Sequence, residues 1–147
     1  MISVIESTGW DTHANQRGVL STLLRSPDTG IGVLKRRLGD CWSKTSVLVL
    51  SEFGPTVATN GTQGTDHGYG GVEFLLGGAV NGGKVVADWP CLTRKARHEG
   101  RDLRSTLDVR VISKSILVDH LGADGDKVDQ CVFPGSNNVK PVPGLFS

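Results

Sequence analysis

Cysteine is scarce in this 147-residue chain, and the three that occur, Cys41, Cys91 and Cys131, are far apart and odd in number. No C-x-x-C pair is present, which argues against a disulfide framework and against a zinc ribbon. An excess of one charge is lacking too, since 16 Lys and Arg face 15 Asp and Glu. Without a global basic field, neither nucleic acid nor an anionic membrane is an expected partner. The two dense basic runs, Lys35–Arg37 and Thr93–Arg101, read as a solvated helix face and a solvated loop. No apolar run reaches the roughly 18–20 residues of a membrane-spanning helix. The opening MISVIESTGW has no basic region, long apolar stretch or small-residue cleavage site, so it does not read as a secretory signal.

Glycine, by contrast, is plentiful, with 20 residues, many of them between Gly54 and Gly83. Positive φ and close backbone approach are what glycine supplies, so a cluster between strands predicts tight, site-forming loops. Ile2–Thr8 is short, β-branched and apolar and reads as a strand running into Gly9. Helical spacing of apolar residues predicts helices over Asn15–Arg25, Ile31–Trp42 and Thr106–Leu121, the last with Ser105 or Thr106 as its cap and Gly122 at its end. The continuous apolar run Thr45–Phe53 reads as a strand covered on both faces, followed by a loop to Gly71 and by strands in VEFLLGGAV and KVVA. This order predicts an α/β fold with helices packed on a mostly parallel sheet. The Pro-rich end, 135–147, reads as an extended surface tail.

In such sheets ligands collect outside the carboxyl ends of the strands. That edge would receive Asp11, His13, Ser51 and Glu52 and, from the following loop, Asp66 and His67. Carboxylate oxygen and imidazole nitrogen are ligands that zinc, manganese or iron accept in hydrolytic sites. Asp11, His13, Glu52, Asp66 and His67 could therefore serve one metal fully or two partly. Each has an ordinary structural reading as well. Asp66 can form an Asx turn beside Gly64 and Gly68, and His67 can be a satisfied loop histidine. The coincidence of five such residues at one edge is what points to a metal centre. Ser51 fails as a nucleophile elbow because Val49 stands where G-x-S-x-G needs its first glycine. His120 fits the last turn of a helix, where a cation suits the dipole. His98 has no partner apparent in the sequence.

Taken in order, GWDTHANQ, LGDCW, SEFGPT, NGTQGTDHGYGG, GGAVNGGKVVADWP and GRDL resemble domain-of-unknown-function family 1501, over Ile2 to Pro134. That family is placed in the alkaline phosphatase and sulfatase superfamily, and many of its members look exported behind a twin-arginine signal. The resemblance implies a three-layer α/β/α sandwich with divalent metal, zinc or manganese, at the strand ends, acting on small phosphate or sulfate esters. By position it makes Asp11 and His13 ligands of a first metal, Glu52 the acidic ligand after a central strand, and His67 a late histidine ligand. Asp66 becomes a ligand or an orienting carboxylate.

Three departures stand against the implied pattern. Phe53 follows Glu52 where the superfamily commonly has a histidine, and Pro55 replaces the arginine of the family's SEFGRT. The chain is also much shorter than its relatives, so the nucleophile is expected before residue 1. Residues 1–134 are therefore expected to be the C-terminal part of a larger domain, with a periplasmic or exported location and a tendency to self-associate through an exposed sheet edge. The rival expectation is a non-catalytic, exported binding or assembly module of the same fold.

Overall fold

The computed structural model describes Met1–Ser147. The chain folds as two compact units, the first made of Met1–Gly39, Phe53–Gly71 and Leu92–Arg104, the second of Asp40–Glu52, Val72–Cys91 and Ser105–Ser147. Its class is α/β in the broad sense of helices with small antiparallel sheets.

In the first unit, α1 (Gln16–Leu23) and α2 (Arg25–Leu38) follow each other almost without a break. The second helix starts six residues before the expected Ile31, and Pro27 is the missed signal: in a first turn its absent N–H costs nothing and its fixed φ is already helical. Gly39, at φ 52°, ends it. A minimal ribbon pairs β2 (Gly54–Pro55) with β3 (His67–Gly68), in the register Gly54↔Gly68 and Pro55↔His67. Proline is tolerated in so short an edge because no interior ladder bond is lost. The expected strand Ile2–Thr8 does not form. Ile2, Val4 and Ile5 are 72%, 92% and 89% exposed, and no neighbouring segment supplies the backbone partners that a strand requires. The buried side chains of this unit are polar, namely Thr12, Thr56 and Asp102, so hydrogen bonds and close backbone approach hold it where an apolar core would otherwise do so.

In the second unit, β1 (Val47–Val49) pairs antiparallel with β4 (Phe74–Leu76). The long apolar run thus yields only three strand residues, with one partner rather than two, and Val49 and Leu50 stay exposed. KVVA forms no strand. The mostly parallel sheet expected from the element order is not what these strands build, because both pairings are antiparallel.

The third expected helix begins later, at α3 (Arg110–Ser115), where Asp108 Oδ1 accepts the Arg110 backbone N–H at 2.9 Å. It continues as a π-helical turn, Ile116–His120, and Gly122, at φ 68°, closes it as expected. His120, in that last turn, stacks on Phe146. A short α4 (Gly125–Lys127), capped by the Asp124 carboxylate, runs into a second π-helical turn, Val128–Val132. The end of the chain is extended but not loose: Ser136 and Leu145 are buried, and Ser147 N donates to Ala79 O at 3.2 Å. Ala79, Val128 and Leu145 are the buried apolar residues. Cys41, Cys91 and Cys131 are free thiols on the surface, and no helix is long and apolar enough to cross a membrane.

Candidate metal centre

Two loops of the first unit meet at the residues singled out by their chemistry. The segment after Trp10 lies along the loop 60–66: Asn15 N donates to Thr62 O at 3.0 Å, Gln16 N to Gln63 O at 2.9 Å and Thr65 N to Thr12 O at 3.3 Å. Asn60 locks this meeting. Its amide donates to His13 O at 2.9 Å and to Asp66 Oδ1 at 3.1 Å, while its carbonyl accepts from Thr62 N and Gly64 N. The hydroxyl of Thr62 adds a bond to His13 O at 2.6 Å. Neither Asn60 nor Thr62 stands out by chemistry in the sequence; the available signal is the Asx-turn context N-G-T-x-G.

Gly64 is required at this crossing. A β-carbon there would sit 2.1 Å from His13 C, a distance at which backbone has to move. Gly64→Ala is therefore expected to cost on the order of 1–3 kcal/mol of stability and to displace His13. Thermal unfolding with a zinc titration checks it, and a variant that matches the wild type in both would show that His13 is positioned by something else.

Held in this way, His13 Nε2 and His67 Nε2 each stand 3.0 Å from Asp11 Oδ1. One donor atom from each of the three residues lies within 4.8 Å of the others. Around a four-coordinate ion with bonds of about 2.0–2.1 Å, neighbouring ligand atoms are about 3.3 Å apart, so a modest opening of the group would admit one ion. All three side chains are about half exposed, leaving room for a further ligand. The hydrogen bond from His67, with the charge of both imidazoles, holds the Asp11 carboxyl below the usual carboxylate range, so it is ionised near neutral pH. Asp66 takes the outer position. Its Oδ1 is 3.4 Å from His13 Nδ1, the ring nitrogen that does not face Asp11, and the Asn60 amide lowers its carboxyl. A carboxylate on the far nitrogen orients a ligating imidazole and raises its basicity.

Of the five expected residues, the structure thus gathers Asp11, His13 and His67, with Asp66 behind His13. Glu52 belongs to the second unit, and the group forms without it. Phe53 lays its ring on His67 with centroids 4.2 Å apart. Arg101, read in the sequence as part of a solvated basic loop, instead donates to His67 O at 3.3 Å and makes a two-point pair with buried Asp102. His98 likewise has partners: its ring lies against Tyr69, and its backbone bridges to Asp102.

The profile of a protein family of unknown function, DUF1501, matches residues 2–125. The chain belongs to that family. No curated protein and no solved structure matches it significantly.

Proposed function

We propose that Asp11, His13 and His67 form a mononuclear divalent-metal centre, oriented by Asp66, in a hydrolase of phosphate or sulfate monoesters. The observation that carries this is the single carboxylate oxygen 3.0 Å from two imidazole Nε2 atoms. Two nitrogens and one carboxylate oxygen with an open position suit zinc better than manganese, which favours oxygen-rich sites. A bound divalent ion would act as a Lewis acid on an ester oxygen. The protein residues supply the rest: Asp11 offers an ionised ligand, Asp66 fixes the tautomer of His13, and the Gly64 crossing fixes where that imidazole stands.

The superfamily assignment, its layered sandwich, and the exported location remain part of this proposal. Exposed Ile2, Val4 and Ile5 and the single partner of β1 favour the layered sandwich alone, since the strands of a larger sheet would cover and pair them.

The test is metal analysis of the purified protein after dialysis against zinc, alongside Glu52→Ala. One zinc per chain in both supports a three-ligand centre. Loss of zinc in Glu52→Ala would make Glu52 a fourth ligand, and no zinc in the wild type would refute the centre.

Phe53 favours a second role, a binding or assembly module that keeps the fold without turnover. Its ring covers one face of His67, where a histidine would have added a ligand. Zinc binding without hydrolysis of aryl phosphate or aryl sulfate esters by the whole protein is the outcome expected of that role.

A further inference from the structure

Among the cations of the basic loop, Arg94, Lys95, Arg97, Arg101 and Arg104, only Arg101 reaches the candidate centre. Arg97 turns its Nε to the carbonyl of Leu92, and Arg104 its Nε and Nη2 to those of Ala96 and Arg97, all within the same loop and none at the candidate centre. Arg101 is held differently. Its Nε donates to Asp102 Oδ1 at 2.6 Å and its Nη2 to Asp102 Oδ2 at 2.9 Å, while Nη2 also donates to the carbonyl of His67 at 3.3 Å. The two partners are buried very unequally: the Asp102 side chain is 2% exposed and that of Arg101 is 61% exposed.

A fully buried carboxylate that grips one edge of a guanidinium fixes its plane without hiding it. Five N–H groups are available on arginine, and the pair with Asp102 and the bond to His67 use three. The Nη1 amino group makes no hydrogen bond within the protein, and it sits on a guanidinium that is itself bonded to the backbone carbonyl of a proposed metal ligand, His67. The backbone leaves little freedom for that anchor. His98 N donates to Asp102 O and Asp102 N to His98 O, both at 2.9–3.0 Å, closing a tight turn, and Val57 N donates to Arg101 O at 3.3 Å. Arg101 is thus tied to both sides of the β2–β3 ribbon. The positive charge is also felt at the centre, since Arg101 contributes to the lowering of the Asp66 carboxyl.

A preset planar cation with free donors beside a metal ligand matches a tetrahedral oxyanion, which arginine binds by paired, charge-assisted hydrogen bonds. We propose that Arg101 is the anion-binding residue of this site, taking the phosphoryl or sulfuryl oxygens of the substrate while Asp102 positions it. This rests on the metal-centre reading above, because the ion and Arg101 would hold the same anion.

The experiment uses the full chain loaded with zinc, with inorganic phosphate as probe, titrated calorimetrically, and with zinc content measured in parallel. Wild type is expected to bind zinc and then phosphate. Arg101→Met is expected to keep zinc at the wild-type stoichiometry and to lose at least about tenfold in phosphate affinity. Arg101→Lys, which keeps the charge without the fork, should fall between them. Phosphate affinity within twofold of wild type in zinc-loaded Arg101→Met overturns the proposal. So does loss of zinc together with phosphate in both variants, which would make Arg101 a strap for the His67 backbone. Absence of zinc from the wild type overturns the metal centre itself, and the anion site with it.

Discussion

His67→Ala is expected to lower zinc affinity by at least about 100-fold. The magnitude follows from position. Disturbing a group that merely orients a ligand costs 10–100-fold in metal affinity, and His67 is one of only three donors in the cluster. Its removal would leave Asp11 with a single imidazole neighbour, a pair of ligands that cannot enclose an ion. The loss should not come from unfolding. His67 is half exposed, and it contributes to the β2–β3 ribbon through its backbone, which alanine preserves. The far-ultraviolet circular dichroism of His67→Ala should therefore match wild type while zinc binding disappears. Asp66→Asn is the contrasting change: it keeps the shape and the Asn60 contact but removes the charge behind His13, so its loss should stay within 10–100-fold. Equal zinc binding by His67→Ala and wild type would remove His67 from the centre.

The residues of the candidate site stand out in the sequence because few structural roles demand these residue types together. A D-x-H triplet and a D-H pair in glycine-rich loops single out Asp11, His13, Asp66 and His67 without knowledge of the fold, but an acid at the end of an apolar run singles out Glu52 no less, which the cluster does not contain. The means of bringing them together is not legible. The sequence places them at the carboxyl edge of a parallel sheet, whereas a loop crossing held by Asn60, Thr62 and Gly64 does the work. Side-chain to backbone bonds leave no periodicity, and hydrophobic pattern is the main local signal for secondary structure. The same gap explains Ile2–Thr8 and Thr45–Phe53. Their apolar, β-branched composition speaks for strands, but a strand exists only with a partner, and the partner is a tertiary fact. Arg101 was obscured for a related reason: a basic run looks alike whether every cation is solvated or one is gripped by a buried aspartate.

Lys114→Met is expected to produce the largest loss of stability, about 3–5 kcal/mol, the range for breaking a buried ion pair by removing one partner. The Lys114 side chain is only 2% exposed. Its ammonium pairs with the Asp129 carboxylate and donates to the carbonyls of Ser136 and Val139 at 2.6 and 2.8 Å, so all three of its protons are used. Ser115, the next residue and fully buried, accepts from Val142 N at 2.8 Å. Two polar side chains on α3 therefore hold the chain from Ser136 to Val142, in a protein whose buried apolar residues are only Ala79, Val128 and Leu145. Methionine fills the volume of the lysine stem but leaves the buried carbonyl of Ser136, the part-buried carbonyl of Val139 and the Asp129 carboxylate, 22% exposed, without their donor, and an unsatisfied buried acceptor costs about 1–3 kcal/mol. Against a total stability of about 5–15 kcal/mol, that is enough to lower the urea midpoint markedly. Lys114→Met with Asp129→Leu should recover part of the loss, because the stranded charge is then gone. A single variant within 1 kcal/mol of wild type would mean that water replaces the ammonium without penalty and that this end of the chain is held by its apolar contacts alone.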